Sequence, residues 1–220
     1  VVGFAQDHKR VNDGDKGPNT GGMGCISNPL VINSNIKKQI SKIFDQTIKG
    51  LAEEKRPFKG ILYLGGMVVN GKVFVIEFNA RWGDPEAQVI LPSLKNDLYD
   101  VGLAINSGSI NKLKISVDKK VWVAVAATAK GYPLDWSKVK GKKVLGIDQA
   151  IKSKVIIYGA GIKKEGGGFV VSGGRVLYVV GEGKDVLEAR KMAYSAISKI
   201  SIEGNNLHFR KDIGWRDMER

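Results

Sequence analysis

Glu77, Asn79 and Arg81 stand at every second position of "VIEFNARWGDPE" (75–86). In an extended strand alternate residues share one face and lie ~7 Å apart along the chain. A carboxylate and a neutral amide carbonyl at that spacing can converge on one hard cation. Magnesium takes oxygen ligands and fills the rest of its shell with waters and substrate phosphates. If the strand continues, Arg81 stays on that face and offers its guanidinium fork to a carboxylate or a developing oxyanion. Asp84 and Pro85 read as the N-cap and first position of a helix whose N–H groups would favour an anion. A strand end that simply turns polar side chains to solvent is the plain alternative.

A second such stretch is "DHKRVNDGDKGPNTGGMG" (7–24). Asp7, Lys9 and Arg10 form a compact charged set. Asn19, Thr20, Gly21, Gly22 and Gly24 form a segment whose backbone N–H groups could approach a phosphate. It lacks the G-K-[ST] pairing of a Walker A loop. A long glycine-rich loop reads as a binding lid, with an inert surface loop as the alternative. His8 and His208 fall in no metal-ligand or triad spacing.

Several elements must position these residues. Apolar residues Ile36, Ile40, Ile43, Phe44, Ile48 and Leu51 predict a helix over 35–55, capped by Asn33 or Ser34. Asn70-Gly71 predicts a type I′ hairpin in which Val69 faces Lys72 and Leu64 faces Glu77. The apolar start of the second hairpin strand is expected to anchor in the core. Gly65 and Gly66 inside the first strand imply a close approach to its backbone. Asn96 or Asp97 caps a further helix. Beyond residue 113, short strands with glycine turns precede one amphipathic helix over 184–200, with Val186, Ala189, Ala193, Ile197 and Ile200 on one face. The fold class expected is α+β, with one domain over 1–112 and a small α+β domain over 113–220.

Composition narrows the classes. Among 220 residues, 43% hydrophobic content supports a real core. No apolar run is long enough for a transmembrane helix, so no membrane partner is expected. The single cysteine, Cys25, points to a reducing compartment and a cytoplasmic location, and reads as a buried filler. The net charge of +13 divides into +3 over 1–112 and +10 over 113–220. These are scattered lysines without interleaved aromatics, so nucleic acid is not expected as a partner.

"DHKRVNDGDKGPNTGGMG", "IEFNARWGDPEAQ" and "RKDIGWR" (210–216) together resemble the phosphoribosylamine–glycine ligases, the glycinamide ribonucleotide synthetases of purine biosynthesis. The resemblance covers nearly the whole chain. It implies the C-terminal half of an ATP-grasp domain followed by that family's small C-terminal domain. It implies a reaction in which ATP, as co-substrate, phosphorylates glycine. The amine of 5-phosphoribosylamine then attacks the glycyl phosphate. It also implies Glu77 and Asn79 as ligands of magnesium or manganese, Arg81 beside glycine and the γ-phosphate, and Asp7–Arg10 with 19–24 closing on substrate and phosphate. The C-terminal domain is expected to be structural, or at most to complete the edge of the site.

Three departures qualify the resemblance. The N-terminal half is missing and with it the adenine pocket, so the chain is expected to be inactive alone and to need that half as a partner. Trp82 stands where the family usually shows Phe. Leu64-Gly65-Gly66 supplies no further acidic ligand, which argues against a second metal. Another ATP-grasp carboxylate–amine ligase and a non-catalytic basic binding fragment are the alternatives.

Overall fold

The computed structural model describes residues 1–218. In chain order its elements are β1 (Ala5–Asp7), β2 (Arg10–Asn12), β3 (Lys16–Asn19), β4 (Gly24–Ser27), α1 (Ser34–Glu53), β5 (Tyr63–Val69), β6 (Lys72–Asn79), α2 (Ala87–Ile90), α3 (Leu98–Asn106), β7 (Val121–Ala129), β8 (Lys143–Leu145), α4 (Ile147–Ile151), β9 (Ile156–Gly159), β10 (Ile162–Glu165), β11 (Gly168–Val171), β12 (Arg175–Gly183), α5 (Val186–Ile197), β13 (Ser201–Ile202) and β14 (Leu207–His208). The strands of each sheet pair antiparallel, as an α+β fold requires. No helix among the described residues is long and apolar enough to cross a membrane.

Contacts divide the chain into two units. One holds Val1–Phe4, Asn28–Gly83 and Leu94–Asp118; the other holds Ala5–Ser27, Asp84–Ser93 and Lys119–Arg220. This grouping differs from a division at 112/113. The physical reason is one pairing: β4 lies along β7, which draws the glycine-rich region into the sheet of the carboxyl-terminal segment.

In the first unit the side-chain Oδ1 of Asn33 accepts the Ile36 N–H at 3.0 Å and caps the start of α1. Ile36 and Ile40 are its buried residues. Gln39 on the same helix fastens the hairpin, accepting the Val73 N–H at 3.0 Å and donating to the Gly71 carbonyl at 2.8 Å. The turn is as expected, with positive φ at both Asn70 and Gly71 and Val69 opposite Lys72. Further along, the register departs from expectation: Gly65, not Leu64, lies opposite Glu77. A bulge leaves Ile76 without a partner between the Gly65–Glu77 and Gly66–Val75 pairs. The apolar start of β6 also departs from expectation. Phe74, Val75 and Ile76 are 53%, 45% and 64% exposed, on a hairpin that forms a two-stranded sheet of its own. The Asp97 side chain accepts the Tyr99 N–H and caps α3.

The second unit contains most of the core. Its main sheet runs β1-β4-β7-β12-β9, and β14 shares the β4 edge of β7, end to end with β4. β7 and β12 are buried along nearly their whole length. This is why they read as continuous Val/Ala/Leu runs rather than alternating ones. Each fully buried Val or Leu contributes ~1.5–3 kcal/mol. Helix α5, capped by Asp185, lays Ala189, Ala193, Ala196 and Ile197 into this core, on the face expected from the sequence. A second sheet, β10-β11-β8-β13, completes the unit.

Candidate functional site

The expected residues fall in both units, and each cluster has its own local cause. In the first unit the bulge sets the chemistry. A Cβ built on Gly65 would lie 3.1 Å from Cγ of Glu77, so the glycine makes room for that carboxylate. This is the close approach that the paired glycines implied. Asn79 Nδ2 donates to Glu77 Oε1 at 3.0 Å, so the two side chains meet on one side of the strand. Both keep contact with solvent. One carboxylate and one amide oxygen form a hard donor set that suits a divalent cation sharing its shell with water and phosphate. Arg81 follows the end of β6, and its Nη1 donates to the Trp82 carbonyl at 2.8 Å. No group of three or more His, Cys, Asp or Glu side chains with metal-binding geometry occurs among the described residues.

In the second unit, residues 5–27 are not an irregular lid. β1 and β4 belong to the main sheet, and β2 and β3 form a two-stranded ribbon. The carboxyl-terminal "RKDIGWR" fastens that ribbon. Arg210, 0% exposed, donates to both oxygens of Asp212 at 2.7 and 2.8 Å and to Asp15 at 2.8 Å. Asp212 also accepts the Gly14 N–H, Asp13 accepts the Lys211 N–H, and Arg216 pairs with Asp15. Burial opposes ionisation of Asp212, but the Arg210 guanidinium and the Gly14 N–H together hold its pKa down at about 2. His8 is buried and accepts the Gly214 N–H on Nε2. Burial first, then Arg210 and Arg216, push its pKa down to about 4, so it stays neutral in the folded protein.

The expected binding residues of this unit are mostly engaged within it. Lys9 reaches Asp7 at 2.5 Å. Burial raises the Asp7 pKa to about 6; Lys9 counters this and the nearby Glu86 adds to it. Arg10 donates to the Gly17 carbonyl at 2.7 Å and so braces its own ribbon. Asn19 stands opposite Arg10 in that ribbon. The N–H groups expected to cradle a phosphate have internal partners. Thr20 donates to the Lys9 carbonyl, Gly21 to the Tyr132 hydroxyl, Gly22 to Thr20 Oγ1 and Met23 to the His8 carbonyl. Asp84 does not cap a helix; α2 begins at Ala87 and has four residues. The Asp84 carboxylate instead receives Arg175 Nη2 at 2.7 Å, the Tyr178 hydroxyl at 3.2 Å and Gln88 Nε2 at 3.2 Å. Cys25 is buried, and burial raises its pKa well above the ordinary thiol value, so it is the inert filler expected.

Arg175, Tyr132 and Arg210 were not anticipated as partners of the glycine-rich segment, nor Tyr178 as a partner of Asp84. One signal for Arg175 was available: "SGGRVLYVV" opens an otherwise apolar strand on an arginine, where a charge is tolerated only with a partner.

Comparison with known proteins identifies the arrangement. The family model described as phosphoribosylglycinamide synthetase, ATP-grasp (A) domain, matches residues 1–87, and that for the C domain of the same synthetase matches 122–216. A phosphoribosylamine–glycine ligase of Mesorhizobium japonicum is 41% identical over 219 residues, covering 99% of this chain and 51% of the relative. A chloroplastic phosphoribosylamine–glycine ligase of Arabidopsis thaliana is 41% identical, covering 98% of this chain and 41% of the relative. A crystal structure of phosphoribosylamine–glycine ligase from Thermotoga maritima superposes with a TM-score of 0.83 at 36% identity, covering 96% of this chain and 51% of that one. The chain spans about half the length of the curated relatives it matches. With both domain models in order along one chain, the protein belongs to the phosphoribosylglycinamide synthetase family, the ATP-grasp phosphoribosylamine–glycine ligases.

Proposed function

We propose that this chain is the metal- and glycine-handling part of an ATP-dependent carbon–nitrogen ligase of purine biosynthesis. In the reaction, a glycine carboxylate oxygen attacks the γ-phosphorus of ATP, and ADP leaves. The amine of 5-phosphoribosylamine then attacks the acyl carbon, phosphate leaves with the C–O bonding pair, the attacking nitrogen gives up a proton, and glycinamide ribonucleotide forms. The observation that carries this reading is the meeting of Glu77 and Asn79 at 3.0 Å on the bulged strand.

Glu77 and Asn79 would hold magnesium or manganese. When bound, such an ion neutralises phosphate charge and polarises the transferring phosphoryl group. Arg81 takes the glycine carboxylate or the charge that develops on the acyl phosphate, a task its planar fork suits. Asp7, Lys9, Arg10, Asn19, Thr20, Gly21, Gly22 and Asp84 form the substrate and phosphate side. The Thr20, Gly21 and Gly22 N–H groups are already bonded internally, so the contacts fall to the side chains of Asp7, Lys9, Arg10, Asn19, Thr20 and Asp84, with Gly21 and Gly22 shaping the segment between them. Lys9 is the cation of this set best placed to meet phosphate: about half exposed, it can exchange Asp7 for a ligand. The enzyme works in the cytoplasm.

The chain acts with the half that its relatives carry in addition. Its length relative to theirs supports this, as does the exposed apolar surface of Phe74, Ile76 and Phe78. The test is glycine-dependent ADP release with 5-phosphoribosylamine, measured with the chain alone and with the amino-terminal half of a relative supplied. Turnover only in the mixture is expected. Glycine-independent ATP hydrolysis, or turnover that needs no added half, would overturn the reading.

A further inference from the structure

We propose that Arg175 is a positioning residue: it fixes the Gly21 carbonyl and the Asp84 carboxylate against each other, so a side chain of the carboxyl-terminal segment sets the geometry of two substrate-side segments. This rests on the ligase reading for its catalytic meaning, and on geometry alone for the fixing itself.

One guanidinium joins three stretches of chain. Nη1 donates to the Gly21 carbonyl at 2.9 Å, to the Tyr178 hydroxyl at 2.6 Å and to Asp84 Oδ1 at 3.3 Å. Nη2 donates to Asp84 Oδ2 at 2.7 Å. The pair with Asp84 is therefore two-pronged, which fixes orientation as well as distance. Gly21 is held from both sides, since its N–H goes to the Tyr132 hydroxyl at 2.9 Å. Both of its backbone polar groups thus end on side chains from beyond residue 119. A Cβ at Gly21 would stand 2.8 Å from Cζ of Arg175, so this close seat admits only glycine without displacement.

Arg210 shows what a purely structural arginine looks like in the same unit. It is completely buried between Asp15 and Asp212. Arg175 differs, because its partner Asp84 is 48% exposed. An ion pair open to water contributes little stability. What this one contributes is a stiff arrangement, because Tyr178 and the Gly21 carbonyl already orient the guanidinium before any ligand arrives.

The test begins on the 220-residue chain. Amide hydrogen exchange is measured at 20–23 in wild type, Arg175→Met and Arg175→Lys. Arg175→Met is expected to speed exchange at these positions about tenfold, the loss of charge-assisted bonds being the cause. The amides of β7 and β12 should keep their rates. Arg175→Lys restores the charge but not the fork and should recover little. In a double-mutant cycle, Asp84→Asn should add almost nothing once Arg175 is Met. Unchanged exchange at 20–23, or full rescue by Lys, overturns the proposal. With the amino-terminal half supplied, kcat should fall about tenfold in Arg175→Met, with KM for glycine and ATP changed less. A wild-type mixture that turns over and an Arg175→Met mixture with the same kcat would overturn the catalytic meaning. A wild-type mixture that never turns over counts against the ligase reading instead, and leaves the exchange result to decide the fixing.

Discussion

In the first unit Ile36, Ile40 and Val101 are the large apolar side chains that lie buried, while Phe74, Val75, Ile76 and Phe78 of β6 face solvent. In the second, β7, β12 and α5 enclose a continuous core, and even Arg210 and His8 are almost fully buried. The proposed metal ligands Glu77 and Asn79 sit on the poorly covered hairpin, and the glycine-rich segment sits in the well-packed unit. The contrast separates two ways of fixing a side chain. Glu77 and Asn79 are placed by local backbone geometry, a bulge and a tight turn, which needs little core. The 7–24 segment is placed by partners far along the chain, which needs the whole second unit to be folded.

If that contrast is right, the largest effect belongs to the hairpin and concerns chemistry alone. Glu77→Ala, assayed with the amino-terminal half of a relative supplied, should lower turnover on the order of 10³-fold, as loss of a several-kcal/mol metal contribution implies. Its far-ultraviolet circular dichroism and melting should match wild type. A variant that keeps turnover within a few-fold of wild type would remove Glu77 from the site.

The next effect belongs to the second unit and concerns folding. Arg210→Met leaves Asp15 and Asp212 without their buried partner and should cost about 3–5 kcal/mol in denaturant unfolding. If that loss is below about 1 kcal/mol, the ribbon is not held from the carboxyl terminus in the way described.

A smaller effect separates two neighbours in that unit. His8 titrates at about 4 when folded, against about 6.5 when unfolded. Between those values the unfolded chain gains a proton that the folded one does not, so stability falls as pH drops. Asp7 titrates at about 6 when folded, above its unfolded value. It takes up its proton first in the folded state, so stability rises over the window as pH drops. The two contributions oppose each other, each with a slope up to about 1.4 kcal/mol per pH unit. Unfolding measured from pH 6.5 to 4 should show a steeper loss in Asp7→Asn and a shallower one in His8→Gln. Parallel profiles would mean that neither group is as enclosed as its surroundings imply.

The smallest effect returns to the hairpin. Ile76→Ser, at the unpartnered bulge position, should change the stability of the chain by less than about 0.5 kcal/mol. The same residue should matter when the remaining half is present. A large stability loss in the chain alone would show that β6 is already packed.

How much of this was legible beforehand differs by residue. The caps Asn33 and Asp97, the Asn70-Gly71 turn and the buried face of α5 were readable because each depends on neighbours within a few positions. The Glu77–Asn79 pairing was readable for the same reason, although the register was off by one. A bulge depends on the cross-strand partner, and no residue type announces it. Asp84 was misread as a helix cap because its carboxylate answers to Arg175, 91 positions away. The 7–24 segment is likewise not the structureless loop its glycines suggested: its N–H and carbonyl groups find partners in Tyr132, Arg175 and the 210–214 segment, and a linear pattern does not record such meetings.

By itself, then, the sequence determined the family, the α+β class, the caps of α1 and α3, the Asn70-Gly71 turn, and which side chains could handle a cation or an oxyanion. Those follow from residue type and short-range spacing. Only the tertiary structure decided that β6 is exposed and bulged, that the glycine-rich segment is a fastened ribbon, and that Arg175 couples Gly21 to Asp84. Burial and long-range hydrogen bonds exist only once distant segments have met, and their geometry depends on the packing that brings them together.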